Sequence, residues 1–387
     1  MSEQKTIHIF GVTGSIGQNT ADIVRAHPDK FKVDVVSAHS NSKGLAKLAV
    51  DLGAVHAVIA DEHHYQDLKN LLSGTDITID AGEAALIEAG KRPADLSMMA
   101  IVGMAGLPSL WEALEYSHMI AIANKEPIVA AGALVLEKAK KNGTKILPVD
   151  SEHSAIFQCL EAHNHASVSK ITLTASGGPF HDWFLEDIEK VTPEQALKHP
   201  NWNMGPKITI DSATMMNKAL EIIEAHYLFN LQPEKIEVLI HPQSLIHSFV
   251  EYQDGSILCQ MGASDMRTPI AYALSWPQRI QTPGDVLDLK TLSELTFKIP
   301  DHERFPALGL AYKALQQGQG ECLALNAANE VAVDAFLKKK IGFLDIVKIS
   351  GYFIDSKLVD KVETIDDILE NDKRVRDSAV SMIEKMH

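Results

Sequence analysis

Two short strings hold acids, an amide and a cation of the types that could bind a metal ion and an anion. LPVDSEHSAIF puts Asp150 and Glu152 just past an expected strand end. A spacing of two on an extended chain turns both carboxylates to one side. DSATMMNKALEIIEA puts Asn217, Lys218 and Glu221 within one expected helical turn, so they share a face. Three carboxylates, Asp150, Glu152 and Glu221, would suit a hard divalent cation and leave positions for substrate oxygens. Spacing leaves their convergence open, and each acid taken singly reads by spacing as a solvated surface charge.

Anion-binding candidates surround these acids in the sequence. TASGGPF follows an expected strand and offers Ser176, Gly177 and Gly178 as a turn able to cradle an anion. Asp211-Ser212 stands where the helix through Met216 is expected to begin, so Ser212 reads as a helix cap, a phosphate donor, or both. Lys125, in Ala123-Asn124-Lys125-Glu126, lies at an expected strand end, where open parallel sheets bind ligands. Its charge would steady a substrate hydroxyl or a developing enolate oxygen. The alternative is a surface lysine paired with Glu126. HPNWNMG at 199–205 reads either as a mobile lid with Trp202 as an aromatic wedge or as an ordinary loop with a packed tryptophan. His241 and His247 in HPQSLIHS read as structural.

A nucleotide loop precedes all of this. Gly11, Gly14 and Gly17 give G-x-x-G-x-x-G directly after the apolar run 6–10 and at the start of a helical pattern. Glycines there allow a tight turn and close backbone approach to a pyrophosphate seated on the helix N-terminus; Thr13 and Ser15 add hydroxyls. A plain tight turn is the alternative. The end of the second expected strand, Ala38-His39-Ser40-Asn41-Ser42-Lys43, carries no carboxylate for a ribose 2′-hydroxyl. Hydroxyls, an amide, a histidine and a lysine suit a 2′-phosphate better, which favours NADP over NAD.

The elements that must position these residues alternate along the first 150. Strands are expected at 6–10, 32–38, 55–60, 97–103, 119–124 and 145–149, with helices through about Arg25, from Gly44 to Leu52, and near 65–72, 107–116 and 127–141. Such alternation predicts a parallel sheet with right-handed crossovers. The middle of the chain reads as α+β. It has strands at 169–175 and 236–250, a hairpin across Asp254-Gly255, and helices at 153–161 and 213–229. Residues 281–303 read as a long connection, and from Phe305 the pattern is helical with a break at Gly318 and Gly320. The expected architecture is α/β: an N-terminal Rossmann-like parallel-sheet domain at 1–150 binding NADPH, a central α+β catalytic and dimerisation domain at 151–285, a linker at 286–304, and a C-terminal helical domain at 305–387.

Composition narrows the partners. The 387 residues suffice for two or three domains, and 45% hydrophobic with 22% charged residues is ordinary globular usage. A net charge of −15 disfavours nucleic acid and anionic lipid, so an anionic substrate needs a locally positive pocket. Cys159, Cys259 and Cys322 are too few and too scattered for a disulfide framework or zinc motif and suit a reducing compartment. No signal peptide or membrane-spanning stretch is expected, so the expected location is cytoplasmic.

Taken jointly and in order, GVTGSIG, ANKE, LPVDSEH, TASGGPF, HPNWNMG, DSATMMNKALE, HPQSLIHS and LNAANE resemble the 1-deoxy-D-xylulose 5-phosphate reductoisomerase family of non-mevalonate isoprenoid biosynthesis. The resemblance runs from about Thr6 into the C-terminal helices. It implies a homodimer using NADPH and Mg²⁺ or Mn²⁺, with Asp150, Glu152 and Glu221 on the metal. It implies substrate contacts from Lys125, Ser151, Glu152, Ser176, His199, Ser212, Asn217, Lys218 and Glu221. The phosphate lies near Ser176, Ser212, Asn217 and Lys218, Trp202 covers the substrate, and Lys125, Glu152 and His199 serve catalysis. Thr13, Gly14, Ser15, Ile16, Asn41, Asn124, Glu126 and Gly205 match the family's NADPH positions. His39 and Ser40 stand where relatives often have glycine and a basic residue, with Lys43 nearby. The implied reaction breaks and re-forms a carbon–carbon bond of 1-deoxy-D-xylulose 5-phosphate. Hydride transfer then gives 2-C-methyl-D-erythritol 4-phosphate, with no covalent nucleophile. Two other readings compete: an NADP-linked dehydrogenase of another phosphorylated metabolite without skeletal rearrangement, and a non-catalytic dinucleotide sensor.

Overall fold

The computed structural model describes residues 4–198, 202 and 204–386. The first stretch runs β1 (Lys5–Phe10), α1 (Ser15–Ala26), β2 (Phe31–Ala38), α2 (Ser42–Asp51), β3 (His56–Ile59), α3 (Tyr65–Leu71), β4 (Thr78–Ala81), α4 (Glu83–Ala89), β5 (Ala94–Met99), α5 (Leu107–Tyr116), β6 (Ser117–Ile122), α6 (Glu126–Asn142) and β7 (Lys145–Pro148). Next come α7 (Ser151–Cys159), β8 (Val168–Ala175), α8 (Leu185–Ile188), α9 (Pro193–Ala196), α10 (Pro206–Ala213), α11 (Met216–Phe229), β9 (Ile236–Ile240), β10 (Ile246–Tyr252), β11 (Ile257–Met261) and α12 (Arg267–Ser275). The chain ends with α13 (Ala307–Gln317), α14 (Gln319–Leu337), α15 (Phe343–Asp355) and α16 (Ile365–Glu384). Two compact units emerge, each assembled from separated stretches. The first comprises Met1–Asn124, Glu137–Phe157 and Asp265–Asp285; the second comprises Lys125–Leu136, Gln158–Ser264 and Val286–His387.

The first unit is built on a seven-stranded sheet in the order β4-β3-β2-β1-β5-β6-β7. Every neighbouring pair is parallel. Ile7 pairs with both Val33 and Leu96, and Ile7, Ile9, Leu96 and Met98 are all buried, as apolar strands covered on both faces must be. Strand order reverses direction at β1 and β5, the place where open α/β sheets leave a crevice at their carboxyl ends. Helix α12 returns from far along the chain to join this unit. Its Ile270 and Leu274 belong to the same apolar core, and Lys5 Nζ donates to the carbonyls of Leu274 at 3.2 Å and Trp276 at 3.0 Å. A charged group crosses the sheet: Arg92 donates twice to Asp34, at 2.8 Å each, and His8 Nε2 lies 3.2 Å from the same carboxylate.

The second unit carries a four-stranded sheet in the order β11-β10-β8-β9. Strands β10 and β11 are antiparallel and joined at Asp254-Gly255, where Gly255 takes φ +85 and Asp254 Oδ1 accepts from Ser256 N at 2.9 Å. Here β8 pairs antiparallel with β10 and parallel with β9. Helices α13 to α16 follow, so the expected α/β class with an α+β middle and a helical C-terminal region is what is found.

Local departures from expectation have physical causes. The segment 78–89 folds as β4 and α4, which the apolar pattern does not announce. The single strand expected at 236–250 is two, interrupted by His241-Pro242-Gln243-Ser244-Leu245, with Ser244 at φ +52. The helix expected at 213–229 is α10 and α11, broken at Met215, which adopts φ +62. The C-terminal break falls at Gly318 with φ +133, while Gly320 lies inside α14.

Candidate active site

The glycine loop is required by close backbone packing. Gly11 has φ +89, and a Cβ there would stand 2.6 Å from the Ala100 carbonyl oxygen. A Cβ on Gly17 would stand 2.3 Å from the Gly11 carbonyl oxygen and 2.5 Å from Val12 Cα, so no side chain can yield. Gly14 caps α1 without a side chain, leaving the first-turn amides of a 12-residue helix facing outwards beside exposed Ser15 and half-buried Thr13 and Ile16. Ser37 Oγ accepts from Gly11 N at 3.0 Å and pins the turn, a role its place inside a strand does not signal. At the end of β2, His39 and Ser40 are exposed. Asn41 caps α2 by accepting from Gly44 N at 2.9 Å, and Gly44 leaves room for that amide: a Cβ would meet Asn41 Nδ2 at 2.6 Å. Asn124 is buried and donates weakly to the Gly103 carbonyl at 3.4 Å.

Asp150 and Glu152 flank the start of a helix rather than sharing an extended strand. Asp150 directly precedes α7 and its carbonyl accepts from Ser154 N at 2.8 Å, while Glu152 sits in the first turn. Acidic groups are favoured there by the unsatisfied amides of the helix end. Ser151 Oγ donates to Glu152 Oε2. Buried His153 places Nδ1 3.9 Å from Asp150 Oδ1.

In the second unit, α11 gathers a buried polar group. Lys125, 5% exposed, donates from Nζ to Asn217 Oδ1 at 2.6 Å and Glu221 Oε1 at 3.1 Å. Asn217 Nδ2 donates to the same Glu221 oxygen at 2.5 Å, and Lys218 Nζ to Glu221 Oε2. Lys125 is thus buried against α11 and not the surface lysine of the alternative reading, and Glu126 accepts from Lys207 at 2.8 Å. Two ammonium groups on one carboxylate bring cation density that an acidic protein must concentrate to receive an anion.

The anion-binding candidates assemble around the same helix start. Past β8, Gly177 and Gly178 take φ +84 and +67, and Gly178 N donates to Ser176 Oγ at 3.2 Å. A Cβ on Gly178 would lie 2.7 Å from the Ser212 carbonyl oxygen, so glycine lets the Ser176 turn press against the end of α10. Ser212 is inside α10 and not at a helix start; the αL kink at Met215 ends that helix and opens α11 with Asn217 and Lys218 in its first turn. Ser176, Ser212, Asn217 and Lys218 thus come from one turn and one helix–kink–helix segment. Trp202 is half-buried with its ring 6.3 Å from that of His247. Burial pushes His247 down to about 4, so it is neutral at physiological pH. His241 is also buried, with Nδ1 2.9 Å from the Thr296 carbonyl and its ring stacked on Phe297. Gly205 caps α10. His199 lies outside the described residues.

Three family models match the chain. One described as 1-deoxy-D-xylulose 5-phosphate reductoisomerase covers residues 7–132, and two C-terminal domain models of the same enzyme cover 146–229 and 261–378. Among curated relatives, the 1-deoxy-D-xylulose 5-phosphate reductoisomerase of Zymomonas mobilis subsp. mobilis is 48% identical over 386 residues, covering 100% of both chains. That of Rhodospirillum centenum is 49% identical over 379 residues, 98% of this chain and 94% of the other. Among solved structures, the Zymomonas mobilis enzyme in complex with NADPH aligns with a TM-score of 0.93 at 47% identity, over 99% of this chain and 100% of that one. A DOX-P reductoisomerase in complex with NADPH, fosmidomycin and magnesium aligns at 0.94 with 42% identity, over 99% of each chain. With relatives this similar along its whole length, the chain belongs to the 1-deoxy-D-xylulose 5-phosphate reductoisomerase family.

Proposed function

We propose that this protein converts 1-deoxy-D-xylulose 5-phosphate to 2-C-methyl-D-erythritol 4-phosphate, using NADPH and Mg²⁺ or Mn²⁺, in isoprenoid biosynthesis by the non-mevalonate route. Among the features of this chain, the buried Lys125–Asn217–Glu221–Lys218 group carries the reading: a simple nucleotide sensor has no use for it. The glycine loop fits NADPH, because a Cβ would fill the cradle at Gly11 and Gly17. The donor set fits a hard cation, since Asp150, Glu152 and Glu221 all offer carboxylate oxygens. When bound, the cation supplies Lewis-acid polarisation of substrate oxygens and NADPH supplies the hydride.

The chain's own residues bind and orient. We assign Asp150, Glu152 and Glu221 to the metal. The phosphate goes to Ser176, Ser212, Asn217 and Lys218, and the carbon skeleton to Lys125, Ser151, Glu152 and His199, with Trp202 excluding water. Lys125 holds a cation beside the reacting oxygens and needs no proton transfer to do so. NADPH is assigned to Thr13, Gly14, Ser15, Ile16, His39, Ser40, Asn41, Asn124, Glu126 and Gly205. We also propose a homodimer in the cytoplasm, with the nucleotide domain at 1–150, the catalytic and dimerisation domain at 151–285, the linker at 286–304 and the helical domain at 305–387. No helix among the described residues is long and apolar enough to cross a membrane.

The test is NADPH oxidation on mixing with 1-deoxy-D-xylulose 5-phosphate and Mg²⁺, repeated with EDTA and with NADH as donor. Turnover that EDTA abolishes and that NADH supports poorly is expected. NADPH oxidation without a branched product would indicate a dehydrogenase, and NADPH binding without turnover a sensor.

A further inference from the structure

The second unit holds a buried ionic chain of which the reading above uses only Glu126. Lys207, in the first turn of α10, places Nζ 2.8 Å from Glu126 Oε1 and 2.7 Å from Asp211 Oδ2. The other oxygen of Asp211 accepts from Asn329 Nδ2 on α14 at 2.8 Å. Glu126, Asp211 and Asn329 are all buried. On the same helix, Glu330 accepts from Asn326 at 3.0 Å and from Arg376 of α16 at 2.8 Å. Burial disfavours the charged form of Lys207, but Asp211, Glu126 and Glu330 outweigh it and hold the ammonium above its ordinary range. Burial would likewise raise Glu126, yet Lys207 keeps it ionised.

Well-packed apolar groups often serve stability as well as a buried ion pair does, so a buried pair is better understood through the placement it enforces. Here the thing placed is Glu126. It is fixed by one cation, which is fixed by Asp211, which is fixed in turn by an amide 118 residues further on. Lys207 follows Gly205 by two residues, so the same pair also anchors the start of α10.

We propose that Lys207, Asp211 and Asn329 are positioning residues for NADPH, through which helix α14 sets cofactor affinity without contributing any residue to the assigned cofactor set. The inference rests on the assignment of Glu126 and Gly205 to the cofactor. It predicts a selective effect: the hydrogen bonds and ion pairs of Lys207 and Asn329 lead to Glu126, whereas those of Lys125, Asn217 and Lys218 converge on Glu221.

The experiment uses the full chain. NADPH affinity is measured directly by titration and kinetically as KM, beside KM for the sugar phosphate and kcat. Asn329→Leu conserves volume and removes the amide donor. It is expected to weaken NADPH about tenfold, as for a charged hydrogen bond loosened rather than lost. The sugar-phosphate KM and kcat at saturation should stay within about twofold. Lys207→Met should act more strongly and Lys207→Arg should recover most of the affinity. Asp211→Asn reads the same link if Lys207→Met fails to fold. Unchanged NADPH affinity in Asn329→Leu, or parallel losses in both KM values and kcat, would overturn the proposal. A wild-type chain that binds NADPH without turning over sinks the functional reading while the titration still decides this one.

Discussion

Replacing Glu221 with glutamine probes the centre of the candidate site with almost no change of volume. The carboxylate is 1% exposed and accepts from Lys125, Asn217 and Lys218. Glutamine keeps one acceptor oxygen but turns an amide donor towards an ammonium group. At about 3 Å, and with an effective dielectric of about 20, each lost attraction is worth roughly 5 kcal/mol before desolvation is credited back. Removing one partner of a buried pair nets about 3–5 kcal/mol. Against a total stability of about 5–15 kcal/mol, the variant should fold with a lowered unfolding midpoint. Turnover should fall further, by about a thousandfold or more, because a proposed metal ligand and its charge disappear together. NADPH affinity should change by less than about threefold, since Glu221 is outside the assigned cofactor set. The assay pairs NADPH oxidation across a Mg²⁺ titration with urea unfolding of the same sample. Normal kcat at saturating NADPH combined with a large loss of NADPH affinity would refute the assignment. Unchanged stability would refute the described contacts.

Three further outcomes are expected. Gly17→Ala should weaken NADPH binding by at least about tenfold and lower the melting temperature, because its Cβ meets only backbone at 2.3 and 2.5 Å; a titration and a melt check both. Burial alone would raise Asp34, but hydrogen bonds from His8 and Arg92 hold it well below the usual carboxylate range. Its contribution to stability is therefore complete above about pH 4 and lost as pH falls further, so Arg92→Ala should cost about 1–3 kcal/mol in urea at pH 7 and less at pH 3. His247, held down near 4, stays neutral in the folded chain while the unfolded histidine protonates below about 6.5. Stability should thus decline between those values, and His247→Gln should flatten that decline in unfolding curves taken at several pH values.

What the sequence discloses depends on the range of the interaction. The glycine loop is legible because a tight turn after an apolar strand and before a helix is a local demand met by Gly11, Gly14 and Gly17. Strand β4 is not, because TIDA carries no buried alternation: its residues alternate exposed and half-buried. The kink at Met215 escapes notice because a left-handed residue is usually announced by glycine or asparagine, and here methionine adopts it. Consequently Ser212 reads as a helix start although it lies near a helix end. Asn217, Lys218 and Glu221 are legible as one face, since the spacing of three and four is helical. Their partner Lys125 is 92 residues away from Asn217, and no periodicity reports that. Lys207 and Asp211 have pair spacing that any surface helix shows, so only the fold reveals that they are buried and joined to Asn329.

The return of α12 to the first unit has a consequence for how the protein is made. Strands β1 to β7 have all been translated by residue 148, yet Ile270, Ala271, Ala273 and Leu274 of their core follow more than a hundred residues later. During synthesis the nascent sheet waits with an uncovered apolar strip on α1 until the segment Asp265–Asp285 emerges. A fragment ending near residue 150 would keep that strip exposed indefinitely and should aggregate, whereas the same fragment supplied with residues 265–285 through a short linker should be soluble.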